Sequence, residues 1–440
     1  MITRRDILKN TSCGFGLLAF NALMSQYSYG MDTHFPAKAK RIIFCYMNGG
    51  PSHVDTFDYK PSLDSKNDTQ DPTDKNRKLM MSQAKFSPSG KSGLMVSDFF
   101  PELQKHADNL CLINGAYSDS GNHEQARSFL HTGNFQFVRP SMGSWLVYGL
   151  GTENKELPGF VTINATISPN EYGSAFLPAV FQGTAINSGN IKNAIPNLSN
   201  SRMSLDLQRR NLDMLNEINR LKLEQDKINN RLEGVIESYE LAFRMQTAVP
   251  NIMDISKETQ DTLDRYGINQ KGTDNFGKQC LMARKFAEAG VRFIELGIGS
   301  WDFHTDIKKN MTDKCAAIDK PIAALISDLK AKGMLEETLI IWAGEFGRTP
   351  GIQNNATGRD HNHQGFSMWL CGGGVKGGIR YGATDEFGHK AVENRMGIHD
   401  LHATILHLMG IDHTRLTYRY SGRDFRLTDV YGEVHNGVIS

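Results

Sequence analysis

Imidazole and carboxylate groups gather directly after four apolar runs in this chain. Asn48, His53, Asp55 and Asp58 follow the run ending Cys45-Tyr46-Met47. Asn122, His123, Glu124 and Arg127 follow the run at 110–113, and Asp302, His304 and Asp306 follow the run at 291–296. Glu345 and Arg348 follow the run at 338–343, with Arg359, Asp360, His361 and His363 close behind. None of the four opens a glycine-rich phosphate loop. A mixed imidazole and carboxylate set suits Zn, Mn or Fe, whereas an all-oxygen set would suit Ca or Mg. Asp302 and His304, two apart in an extended segment, point to the same side, as two ligands of one ion must; His361 and His363 share that spacing. Any one piece has a plainer reading as a satisfied loop residue or a solvated polar loop. The weight lies in their arrival at four successive strand ends.

The elements that must position these groups follow from periodicity. Apolar runs at 41–47, 110–113, 159–163, 291–296, 338–343 and 367–371 predict buried strands, and helical patterns lie between them at 99–108, 124–131, 275–289, 315–332 and 399–409. Alternating strands and helices imply an α/β fold, with a mostly parallel central sheet covered by helices on both faces. In such sheets ligands collect beyond the carboxyl ends of the strands, where the four polar clusters fall. Residues 204–245 are rich in Leu, Glu, Lys and Arg, with apolar residues three and four apart in irregular heptads. They predict a helical insertion that packs over the sheet or makes an oligomer contact.

The chain has 440 residues, 39% hydrophobic and 22% charged, which suits a large globular core. With 49 basic and 48 acidic residues its net charge of +1 offers no argument for nucleic acid or an anionic membrane as a partner. At the N-terminus Arg4-Arg5-Asp6-Ile7-Leu8-Lys9 precedes a short, glycine-containing apolar run and a polar stretch ending at Gly30. That order predicts a twin-arginine export signal over 1–30, too short in its apolar part for a membrane span, ahead of a single domain over 31–440. The expected address is periplasmic or secreted. Beyond the signal, Cys45, Cys111, Cys280, Cys315 and Cys371 are odd in number with no C-x-x-C spacing, so they read as separate core cysteines.

The order of "IIFCYMNGGPSHVDTFD", "NHEQARSFLHTG", "WDFHTD", "TLIIWAGEFGRTP", "GRDHNHQGFSMWLCGGGVKGG" and "HDLHATILHLMGID" resembles the DUF1501 family, sulfatase-like secreted proteins of the alkaline phosphatase superfamily. The resemblance registers Asn48 with the Asp metal ligand after the first strand, and His123 with the nucleophile. Arg127 takes the place of its supporting arginine, and Asp302 with His304 that of a metal-binding segment. Glu345-Phe346-Gly347 stands for Asp-His-Gly or Asp-Asn-Gly, and His361 or His363 for a later histidine ligand. Asp400 is expected as a helix N-cap. No Cys-x-Pro-Ser-Arg precedes "FLHTG", and Ser118, Ser120 and Ser128 fall out of register, so neither usual covalent nucleophile is present. Asn48 and Phe346 also remove two ligands of a second metal position, where His53 or Asp55 could substitute.

The expectation is therefore an exported hydrolase of sulfate or phosphate esters, possessing one divalent metal, Zn or Mn, and using a metal-activated water. His123 would be a general base or ligand and Arg127 would support catalysis. Asp302, His304, Glu345, His361, His363, His53 and Asp55 form the candidate metal set. Asn48, Arg348 and Arg359 would hold the anionic ester, which could belong to a polysaccharide. The alternative is a non-catalytic binding or assembly protein on the same fold. Trp145, Trp301 and Tyr46 could stack on sugar rings or belong to the core.

Overall fold

Alternate residues of the first strand face opposite cores. Arg41–Met47 (β1) sends Ile43, Cys45 and Met47 into one apolar cluster and Ile42, Phe44 and Tyr46 into another. A strand buried on both faces needs apolar side chains at both phases of its period, which explains the unbroken run. In this computed structural model residues 33–189, 194–196, 198–200, 202–226, 230–353 and 357–440 are described; the expected signal at 1–30 lies outside them.

The central sheet adds Leu110–Ala116 (β2), Phe160–Ile163 (β3), Thr184–Ile186 (β4), Phe293–Ile298 (β5), Thr338–Ala343 (β6) and, after a small hairpin, Phe366–Cys371 (β9) and Ile379–Tyr381 (β10). Its order is β10-β2-β9-β6-β1-β5-β3-β4. β9 runs against both neighbours; the other pairings are parallel. One face is covered by Asp274–Glu288 and Ile307–Ala331, the other by His123–Thr132 (α1), Met142–Leu150 (α2) and Ile398–Leu408. The expected α/β class with a mostly parallel sheet is the class observed. All five described cysteines are buried and free.

Several boundaries differ from expectation for local reasons. The helix expected over 315–332 begins at Ile307, because its first turns carry the charged side chains that periodicity discounts. Only Pro101–Gln104 of the segment 99–108 is α-helical, its first amides capped by the buried Asp319 carboxylate at 2.8 Å from both Glu102 N and Leu103 N. The small hairpin, Gly347–Ile352 (β7) with Arg359–Asn362 (β8), pairs His361 opposite Arg348. Gly, Arg, Thr and Pro dominate it, so no apolar alternation announces it. Asp400 is not the N-cap: Gly397 holds that position, and Asp400 accepts from the Gly397 amide at 2.9 Å.

The insertion is a helical pair, Leu205–Asp226 (α3) and Asn230–Met253 (α4). Met245, Val249 and Met253 anchor α4 in the core, and Arg209 of α3 grips Glu240 of α4 through two hydrogen bonds of 2.8 and 2.7 Å. No helix among the described residues is long and apolar enough to cross a membrane.

Candidate metal centre

Three loops beyond the carboxyl ends of β2, β5 and β6 converge on the tip of β8. After β2 the Asn122 side chain caps α1 by accepting from the amides of Glu124 and Gln125, which sets His123 at the first helical position. Gly133, at φ +68°, ends the helix in the left-handed region that favours glycine. After β1, Gly49 has φ +120°, and a Cβ there would lie 2.7 Å from Trp301 N and 2.8 Å from Asp302 N. Glycine at this position is what lets the first loop close against the Asp302 segment.

At the centre lies Asp302 Oδ1. His304 Nε2 is 2.8 Å from it, His361 Nε2 3.1 Å and His123 Nε2 3.4 Å. The other nitrogen of each ring is held from outside. His123 Nδ1 donates to Glu345 Oε1 at 2.6 Å, His361 Nδ1 to the Gly121 carbonyl at 2.9 Å, and His304 Nδ1 to the Gln353 amide oxygen. These partners are acceptors, so they place the ring proton on Nδ1 and turn each Nε2 lone pair toward Asp302. Ligand atoms of His123, Asp302 and His361 lie within 4.8 Å of one another, as do those of His304, Asp360 and His361.

Acceptor then faces acceptor at this centre, an arrangement that protons or a cation must relieve. Burial opposes charge on His123, but the adjacent Asp302 and Glu345 carboxylates outweigh it and lift the ring to about 9. Burial also works against the Asp302 carboxylate; the His123 and His361 imidazoles and the Arg348 guanidinium overcome it and hold Asp302 well below the usual carboxylate range. The buried His123 Nε2 finds no hydrogen-bond partner of adequate geometry, its 3.4 Å approach to Asp302 being too poorly aligned. An orphaned imidazole nitrogen beside a carboxylate and two further imidazoles is a donor set that fits a divalent ion of the Zn or Mn type.

The remaining candidates are placed around this centre or away from it. Glu345, expected as a ligand, is fully buried behind His123, accepting also from Tyr46 Oη at 2.9 Å and Gly49 N at 2.9 Å. Arg348, expected on the ester, is 1% exposed and spends its guanidinium on Asp302 Oδ1 at 2.5 Å and on the carbonyls of Gly49 and Gly50. His363 lies next to Gly121 and outside the converging set, because β8 ends at Asn362 and the two-residue alternation stops there. His53 donates from Nε2 to the Gly388 carbonyl at 2.8 Å, and burial lowers its pKa. Asp55 and Arg359, a ligand candidate and a substrate candidate, instead form one fully buried ion pair, with Nε to Oδ2 at 2.8 Å. Asn48 donates to the Thr166 carbonyl at 2.8 Å, and Arg127 Nε to Glu171 at 2.7 Å.

Sequence reading left out Asp360 as a ligand candidate, although its neighbour His361 marked it. Gln353 and the Gly121 carbonyl carried no signal, since their role exists only through the rings they hold. Trp145, Trp301 and Tyr46 are core residues, each at most 1% exposed.

Among solved structures, the chain is similar to a sulfatase, PsFucS1, from Pseudoalteromonas sp. at 15% identity, covering 85% of this chain and 68% of that one with TM-score 0.37. It is similar to the periplasmic domain of EcEptC from Escherichia coli, solved in complex with Zn, at 9% identity, with coverages of 86% and 85% and TM-score 0.37. A protein in the alkaline phosphatase superfamily from Vibrio parahaemolyticus matches at 11% identity, with coverages of 89% and 74% and TM-score 0.34. Likeness at this level says nothing about activity, metal or substrate. A search of curated proteins finds no match. The family described as "Protein of unknown function (DUF1501)" matches residues 39–439, nearly the whole described chain, and the chain belongs to that family.

Proposed function

We propose that the protein is an exported, metal-dependent hydrolase of sulfate or phosphate esters, with a polysaccharide as the class of molecule that carries the ester. One observation carries the reading: three imidazoles, each with Nδ1 held by an acceptor, turn Nε2 onto a single carboxylate oxygen. His123, Asp302, His304 and His361 would hold a divalent ion, Zn or Mn, with Asp360 adjacent. When bound there, such an ion lowers the pKa of water toward neutrality and offsets charge on ester oxygens.

The chain's own residues do the rest. Glu345 fixes the His123 ring and raises its basicity, and Arg348 fixes Asp302 from beneath, so neither ring nor carboxylate has to reorganise when an anion arrives. Arg127 keeps Nε on Glu171, which leaves its terminal nitrogens as the donors it would offer an anionic oxygen. The amides of that first turn favour negative charge as well. Asn48, held by Thr166, completes the wall on the β1 side.

The test is elemental analysis of protein purified through its own export route, wild type beside Asp302→Ala/His304→Ala. About one equivalent of Zn or Mn in the wild type, lost in the double variant with the fold intact by circular dichroism, is expected, followed by turnover of aryl sulfate or aryl phosphate esters. Metal-free wild type that takes up neither ion on titration would refute the reading and leave a binding or assembly role.

A further inference from the structure

Helix α3 has apolar residues on two faces, and only one of them is covered. Leu212 is buried, and on the same side Asn216 and Arg209 meet Glu240 of α4. Opposite them Leu207, Met214, Ile218 and Leu221 are 47%, 61%, 54% and 54% exposed. Apolar side chains exposed this far, aligned along one helix, have no cover among the described residues of the helical pair.

The hairpin explains why the pattern is hard to see in the sequence. With the buried Leu212 and Asn216 set aside, the exposed side carries a regular stripe, Leu207, Asn211, Met214, Ile218 and Leu221, at spacings of four, three, four and three, flanked by Leu215, which is 45% exposed. These are successive d, a, d, a, d positions of a heptad. A single Asn at an a position and a β-branched residue at the other a position are the features that favour two parallel strands in one register.

We propose that this stripe docks a second copy of the chain, the two α3 helices forming a short parallel coiled coil. The occupant is argued from charge and from the asparagine. In register, Glu217 of each copy (g) meets Lys222 of the other (e), giving two complementary pairs, and the two Asn211 amides meet each other. The antiparallel arrangement that aligns Met214 with Ile218 of the second copy sets Glu217 against Glu217 and leaves Asn211 opposite a leucine. Within one copy the ion pair of Glu217 among the described residues is with Arg220, at a long 3.9 Å, so its carboxylate is available. Glu217, Lys222 and Asn211 thus find their complements in the same stripe, a match that a different partner would reach only by coincidence, while Arg210 (g) meets Leu215 (e). About two heptads are engaged, so the association is modest, on the order of micromolar. This inference is independent of the hydrolase reading.

The experiment is sedimentation equilibrium of the full exported chain, wild type beside Met214→Glu/Ile218→Glu, together with oxidative crosslinking of Asn211→Cys, the five described cysteines all being buried. The wild type is expected to dimerise in the micromolar range, and the double variant to bind at least about a hundredfold more weakly with an unchanged thermal midpoint, since both side chains lie on the surface. Asn211→Cys should crosslink, because only the parallel pairing brings the two positions together; the antiparallel one separates them by about 15 Å along the helix. A wild type monomeric at about 100 μM, well above that micromolar expectation, a dimer that survives the glutamates, or an Asn211→Cys dimer that does not crosslink would each overturn the proposal.

Discussion

Glu345→Gln probes the centre without touching any group that would meet a metal. Glu345 is fully buried and accepts from His123 Nδ1 at 2.6 Å, Tyr46 Oη at 2.9 Å and Gly49 N at 2.9 Å. Glutamine preserves the shape and one acceptor oxygen, so the ring keeps its orientation, and the amide nitrogen can donate to the tyrosine hydroxyl. What disappears is the negative charge that makes His123 a stronger base. Removing such a partner typically weakens a metal site by about 10- to 100-fold, or about 1.4 to 2.7 kcal/mol. Glu345→Ala should fall at or beyond the upper end, since it also frees the ring and leaves the Gly49 amide unpaired. The assay is competition with a chromophoric chelator, measuring Zn affinity for wild type and both variants, with thermal melts to confirm folding. Equal affinities in all three proteins would refute the idea that Glu345 orients and polarises His123, and with it the assignment of His123 as a ligand.

Two further outcomes follow from groups the centre does not use. Arg359 donates to both Asp55 oxygens and to the carbonyls of Pro350, Met80 and Met81 with no exposure, so Arg359→Ala should cost about 3–5 kcal/mol in urea unfolding, and any metal-binding difference in the folded fraction would contradict its structural role. Glu295 is buried on β5 with one oxygen unpartnered, facing Thr162 at 3.5 Å, His131 at 3.6 Å and the nearby Glu171. Burial, then the Glu171 charge, pushes it up from 4.5 to about 8. A carboxyl whose folded pKa is raised stabilises the fold fully below its unfolded pKa, and that contribution is lost as pH rises through about 8. Melting curves from pH 5 to 9 should therefore show the wild type declining from pH 5 to about 8 and levelling off above it while Glu295→Gln holds its midpoint, the full loss from 4.5 to about 8 being up to on the order of 5 kcal/mol. Parallel curves across that range would show that Glu295 does not titrate there.

Much of the scaffold was legible in the order of residues alone. Runs such as Ile42–Tyr46 and Leu339–Trp342, short and rich in β-branched and aromatic residues, read as strands buried on both sides, and the polar residues that follow them then fall at the carboxyl edge of a parallel sheet. Local rules also paired Asp302 with His304, which meet at 2.8 Å, because side chains two residues apart share a side of extended backbone. The same rule misjudged His361 and His363, since alternation holds only while the strand lasts, and β8 stops between them.

Tertiary structure alone decided which polar groups share a centre. Asp55 and Arg359 are far apart in sequence and each suits a site, yet burial makes their mutual pairing the only arrangement that leaves neither charge uncompensated. Glu345 and Arg348 carry ligand and anion-binding chemistry by type, but packing places both beneath the site, where they hold His123 and Asp302 in place. The apolar stripe on α3 likewise stands out only once burial separates Leu212 and Asn216 from the exposed side. Sequence determines which groups are offered at a strand end; the distance between strand ends, and what lies behind each group, is a property of the packed sheet.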